Sequence, residues 1–265
     1  PSPSPSPTSS GPAVVSGPSW DGPVEVAEGR QLNATCTGEG SPAVIYLHGM
    51  IQPSDEVAWA HSPEMERRLS EETTYCEYER ANVGASSPQD GPIHVSESVD
   101  DLNALIEQVG LEPPVILLGG SFGGLIAYTY AATHPDDVAG VVLLDPTLPD
   151  ELALDAMLPP EWRLTEDSWR DSAEKIDPVG ALMHAQSAVA NIPPIPGTIF
   201  VTDELWAPEG DIAETFKRTV RDQQQALIER FQPGETITVD APHAMIPVVP
   251  DEIAAAVIAQ IEAAR

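Results

Sequence analysis

The stretch Val115-Ile-Leu-Leu-Gly-Gly-Ser121-Phe-Gly-Gly-Leu-Ile-Ala-Tyr-Thr-Tyr130 decides how the rest of the chain is read. Residues 115–118 are a short apolar run that fits a buried strand, and the turn that follows is almost wholly glycine. An apolar run long enough for a helix begins straight after the serine. Gly119, Ser121 and Gly123 match G-x-S-x-G, a sharp strand-to-helix turn that lifts a serine hydroxyl clear of a sheet. A backbone doubling back this tightly brings neighbouring chain to where a Cβ would stand, so flanking positions without side chains relieve the crowding. The helix that follows offers free N–H groups and a positive dipole end beneath the serine, which suits a developing oxyanion. A glycine-rich turn that binds phosphate, or nothing, is the plainer alternative, and the strand before it and helix after it favour catalysis.

Composition narrows the rest. The 265 residues are enough for one large α/β domain with an insertion. Acidic residues outnumber basic ones 42 to 12, for a formal net charge of -30. Such a surface repels nucleic acid and anionic membrane, so the expected partner is a small molecule and not nucleic acid. No apolar run approaches the roughly 18 residues of a membrane span. Residues 1–22 open with Pro-Ser repeats, too rich in proline for a helix or an interior strand, and read as an extended solvated tether. That is the composition of a spacer to a membrane or cell-wall anchor, so a secreted or extracytoplasmic location is expected, with a lipid-anchored bacterial protein as one form of it.

Around the serine the chain alternates strands and helices. Strands are expected over residues 24–27, 31–37 and 43–47, the last ending at His48-Gly49-Met50. A helix of about a dozen residues is expected within 56–69, and a strand over 73–79 leads to Arg80-Ala-Asn-Val-Gly84-Ala-Ser86. Val99, Leu102, Leu105, Ile106 and Val109 recur at helical spacing before Gly110, a natural stop. Further strands fit residues 138–144, 198–202 and 236–239, with a terminal helix over 251–264.

The order of His-Gly, Arg-x-x-x-Gly-x-Ser, helix and Gly-Gly-Ser-Phe-Gly-Gly resembles the α/β-hydrolase superfamily over residues 23–265, and within it secreted or lipoprotein-type bacterial serine hydrolases. The resemblance implies an α/β-hydrolase fold: a mostly parallel eight-stranded sheet flanked by helices. Residues 23–145 and 197–265 would form the core and 146–196 a short helical cap. Ser121 would be the nucleophile, His243 in the loop after the last strand the general base, and the N–H groups of Met50 and Phe122 the oxyanion hole. Two strand ends offer the acid. Asp145 is favoured over Asp203, with Glu204 third. Met157, Leu158, Trp162 and Met183 mark the part of the cap where a substrate pocket is expected. Because the second and fourth strands of this fold are neighbours, a Cys36–Cys76 disulfide is expected, two free buried thiols being the alternative. Glu79 stands where many relatives carry aspartate, which bears on a loop hydrogen bond. Met50-Ile-Gln stands where proline aminopeptidases of the fold carry Gly-Gly-Pro-Gly, which speaks against a peptidase.

The expected reaction is carboxylic-ester hydrolysis through an acyl-enzyme, with no cofactor, since the cysteines and histidines show no metal-ligand spacing. An amide, lactone or peptide hydrolase with the same triad, or a haloperoxidase-like side activity, is an alternative within enzymes. A noncatalytic binding protein on this fold is the alternative outside them, and would require Ser121 or His243 to be idle.

Overall fold

A computed structural model describes residues 19–265. Eight strands form one sheet: β1 (Trp20–Ala27), β2 (Arg30–Thr37), β3 (Val44–Leu47), β4 (Tyr75–Glu79), β5 (Val115–Gly120), β6 (Val138–Leu144), β7 (Gly197–Thr202) and β8 (Gly234–Val239). Their order is β1-β2-β4-β3-β5-β6-β7-β8. β2 runs antiparallel to β1 and β4, and every pairing from β4 to β8 is parallel.

The central strands are apolar throughout because both faces of the sheet are covered. Ile45, Leu47, Leu117, Val141 and Leu143 belong to one core, with Leu102 and Leu105 of α2 (Val95–Val109) and Ile126 and Tyr130 of α3 (Phe122–Thr133). Their neighbours Val44, Tyr46, Ile116, Leu118, Val142 and Leu144 belong to the other, with Met65 and Leu69 of α1 (Pro63–Leu69) and Ile253, Val257 and Ile261 of α7 (Pro250–Ala264). The alternation follows from the two-residue period of a strand, and it fixes the register of every central strand, since a one-residue slip would exchange the two cores. Between β6 and β7 lie α4 (Glu151–Asp155), α5 (Pro178–Ala188) and three short 3-10 turns, and α6 (Ala213–Ile228) joins β7 to β8.

Cys36 and Cys76 face each other across the β2–β4 ladder and are bonded, with sulfurs 2.02 Å apart. Three expectations change. The tether over 1–22 is too long, because residues 20–22 belong to β1; residues 1–18 lie outside the described part of the chain. The single helix within 56–69 is a 3-10 turn, Val57–Ala60, followed by α1. Pro63 explains the break: proline starts a helix well but has no N–H to continue one, and Ser62 caps the new helix through Met65 N–H. The third change is α6, which the apolar pattern does not announce.

Candidate active site

Order β3-β5-β6 brings the ends of three parallel strands together, the place where open α/β sheets carry their sites. Ser121 leaves β5 with φ 49° and ψ -118°, a backbone region costly for any residue with a Cβ. Its conformation is held from both sides: Ser121 N–H donates to Leu144 O at 3.0 Å, and Thr147 N–H donates to Ser121 O at 3.0 Å. Two glycines allow this. A Cβ on Gly119 would come within 2.6 Å of Gly123 O, and one on Gly123 would overlap the carbonyls of Leu47 and His48, so the start of α3 presses directly on the end of β3.

His243 lies in the loop after β8, and its Nδ1 is 2.6 Å from Asp145 Oδ2. Asp145 directly follows β6 with φ 40°, its N–H donating to Phe200 O at 2.9 Å. The hydrogen bond to Asp145 raises the pKa of His243 above its ordinary 6.5; partial burial opposes the shift, and the charges of Asp145 and Glu151 add to it. Glu151, on α4, is itself pushed up, chiefly by burial, while the Leu148 N–H on its carboxylate pulls the other way. Asp203, the other acid considered, sits exposed after β7 and makes no hydrogen bond to His243; Glu204 is exposed beside it.

Behind Ser121 lies an ion-paired network that the sequence does not reveal. Arg80 Nε donates to Glu174 Oε2 at 2.6 Å and Nη2 to Oε1 at 2.9 Å, with both side chains almost wholly buried. The same guanidinium donates to His48 O at 2.7 Å and Gly49 O at 2.8 Å, and Glu174 accepts Ile51 N–H at 2.7 Å. The loop His48-Gly49-Met50-Ile51 is thus clamped along its length by one pair. His48 is fully buried, with Nδ1 2.6 Å from Gly49 O and Nε2 accepting Arg80 N–H at 3.4 Å. Burial, then the Arg80 charge, holds its pKa well below 6.5, so it stays neutral and structural. Within this clamp the N–H of Met50, like that of Phe122 at the start of α3, has no hydrogen-bond partner among the described residues. Glu79 keeps its loop hydrogen bond despite being longer than aspartate: its Oε2 accepts Ala85 N–H at 2.7 Å.

Two clefts open on Ser121 and His243. The larger, about 840 Å³, also takes in Asp145, Leu158, Trp162, Asp203 and Trp206; the smaller, about 330 Å³, takes in Met50, Trp59, His61 and Met245. Of the four cap residues expected near substrate, Leu158 and Trp162 line the larger cleft. Met157 and Met183 line neither: Met157 packs against the core beside α4, and Met183 is exposed on α5. Leu154 and Leu164 take their place, and Phe216 and Gln224 enter from α6.

A family model described as alpha/beta hydrolase fold matches residues 42–194. Over 109 residues, 41% of this chain and 39% of the relative, the sequence is 37% identical to Lipase LipV of Mycobacterium tuberculosis. It is 31% identical to Proline iminopeptidase PfmaB of Pestalotiopsis fici over 125 residues, 45% of this chain and 42% of that protein. The chain thus spans about two fifths of the length of each. Among solved structures it is similar to the enol-lactonase from Burkholderia xenovorans, with TM-score 0.63, 17% identity, 91% of this chain and 100% of that one covered. An esterase from Thermogutta terrifontis gives TM-score 0.61 at 19% identity, covering 89% and 94%. At these identities the two structures speak for the fold.

Proposed function

The chain belongs to the alpha/beta hydrolase family, and from that premise we propose that it is a serine hydrolase acting on carboxylic esters through Ser121, His243 and Asp145. One observation carries the reading: Ser121 stands on a positive-φ turn and shares two clefts with His243, whose Nδ1 is held by Asp145. Asp145 on Nδ1 leaves Nε2 as the basic nitrogen and stabilises the imidazolium once it forms. His243 takes the proton of Ser121 Oγ as the oxygen attacks the ester carbonyl. The N–H groups of Met50 and Phe122 receive the oxyanion, and their lack of another partner among the described residues suits them to it. His243 then returns the proton to the departing alcohol, and water releases the acyl group by the same route.

The partial likeness to LipV supports an ester as substrate. The likeness to PfmaB is a reason to include an amide in any survey, although Met50-Ile-Gln departs from the proline aminopeptidase pattern. An extracytoplasmic location is part of the proposal, and the bonded Cys36–Cys76 pair supports it, since such bonds persist in oxidising compartments.

The test is labelling with a fluorophosphonate, wild type beside Ser121→Ala, followed by p-nitrophenyl esters of increasing acyl length and prolyl p-nitroanilide. Labelling lost in the variant, with esters turned over faster than the anilide, is the expected result. A folded wild type that takes no label would overturn the reading.

A further inference from the structure

The larger cleft is lined with more negative charge than the acyl-transfer chemistry uses. Glu151 and Asp155 enter it from α4, Asp203 and Glu204 from the loop after β7, and Asp240 from the end of β8, while no lysine or arginine lines it. Among the described residues none of these five makes an ion pair with a lysine or arginine. An acidic lining alone would say little in a chain of net charge -30. Two further observations are independent of composition.

The first is aromatic. Trp162 and Trp206 stand with ring centroids 6.5 Å apart, and Trp206 meets Phe216 edge-on at 5.7 Å. Both indoles line the cleft yet keep 57% and 62% of their surface exposed, so packing does not account for their presence there. Indole faces attract cations through the negative face of the ring, more strongly where water is displaced. The second is Gln224 on α6. It is 6% exposed and lines the cleft, yet its side-chain amide makes no hydrogen bond among the described residues. With no protein partner, this amide on the cleft wall is available to hydrogen-bond a bound molecule, as acceptor or donor.

We propose that this cleft binds an organic cation, a protonated amine or a quaternary ammonium, carried by the substrate on one side of its ester bond. The Trp162–Trp206 faces take the cation's alkyl surface, the carboxylates supply the field, and Gln224 Oε1 accepts an N–H where the cation has one. Hydrolysis adds water across the acyl C–O bond and releases a carboxylic acid and an alcohol, one of which carries the positive charge out. This rests on Ser121 being the nucleophile of the same cleft.

Binding is therefore measured apart from turnover. Ser121→Ala is titrated at low salt with butyrylcholine, with 2-(dimethylamino)ethyl butyrate and with neutral 3,3-dimethylbutyl butyrate, following tryptophan fluorescence. The two cationic esters are expected to bind at least about tenfold more tightly than the neutral isostere. That ratio is expected to shrink severalfold in Trp206→Leu and in Asp203→Asn/Glu204→Gln, and to stay unchanged in the distant, exposed pair Glu25→Gln/Glu28→Gln. A further loss in Gln224→Leu for the amine but not the choline ester supports the assigned acceptor. Equal affinity for charged and neutral esters, no saturable binding of any, or an equal fall in the distant variant would overturn the proposal. Fluorophosphonate labelling of wild type scores the nucleophile separately: label without cation preference sinks the cation site alone, and cation binding without label sinks the hydrolase reading alone.

Discussion

On the β3 side of Ser121, Arg80 and Glu174 are sealed from solvent and tie down the loop His48 to Ile51 through both backbone carbonyls and an N–H. On the β8 side, His243 leaves 62% of its side chain exposed and is fixed through one hydrogen bond to Asp145. The contrast follows the tasks proposed for each. Hydrogen-bond donors aimed at a developing oxyanion are useful only if they need not reorganise, and a buried, doubly bonded ion pair supplies that rigidity. A group that must gain and lose a proton works best with a pKa near the operating pH, which water and one carboxylate can tune and a sealed site would drive too far.

Three variants would break or sharpen this contrast. The largest effect is expected at the open side: Asp145→Asn should lower ester turnover about 10⁴-fold by releasing the imidazole tautomer, while the urea midpoint moves by the equivalent of less than about 1 kcal/mol. Near-normal turnover would remove Asp145 from the triad and turn attention to Asp203. On the sealed side the order reverses. Glu174→Ala leaves the Arg80 charge buried and unpaired, and should cost about 3–5 kcal/mol of stability in urea unfolding. In the fraction that stays folded, kcat should fall tenfold or more with KM little changed, because the clamped N–H groups act in the transition state. A loss of stability with intact kcat would make Glu174 a purely structural residue.

The smallest effect concerns pH. Because Asp145 raises the pKa of His243, the ester pH–rate profile should rise through a value above 6.5, and Glu151→Gln, which removes a second favourable charge, should move that limb down by less than about one unit. The sign for stability is opposite. A histidine whose folded pKa is raised stabilises the fold fully below 6.5, and that contribution is lost as pH climbs through the raised value, so activity gains where stability declines. His48, held neutral by burial, should leave no mark on the rate profile, but its lowered pKa should cost stability as pH falls below 6.5, where the unfolded imidazole takes up a proton and the folded one does not.

Much of this is legible in the sequence, for physical reasons that differ by region. The turn at Ser121 shows in the sequence because a backbone that tight tolerates glycine and little else, and the central strands show because two covered faces demand unbroken apolar runs. Glu174 was hidden: it lies 94 residues from Arg80, in a stretch without periodicity, and a lone glutamate carries no sign of its partner. Between the strand ends at Asp145 and Asp203 the sequence favours the first without deciding, and the loop after β8 is what brings His243 to Asp145. The helix α6 was missed because Gln224 interrupts its apolar face between Phe216, Val220 and Leu227, and in the fold that interruption is where a polar group meets the cleft.

The chain between β6 and β7 reaches the surroundings of Ser121 from two directions, with Trp162 on the larger cleft and Glu174 on the loop from His48 to Ile51. Segments at this position invite exchange between relatives as a way of altering substrate range. Here such a graft would carry away the brace along with the cleft wall, so a chimera that recovered a pocket would still inherit a loosened loop from His48 to Ile51. Exchange of this segment is therefore expected to succeed only with donors that bring their own carboxylate to Arg80, and a single crossover placed after residue 174, which leaves Arg80 and Glu174 in the same parental part, is expected to be safer than one between them.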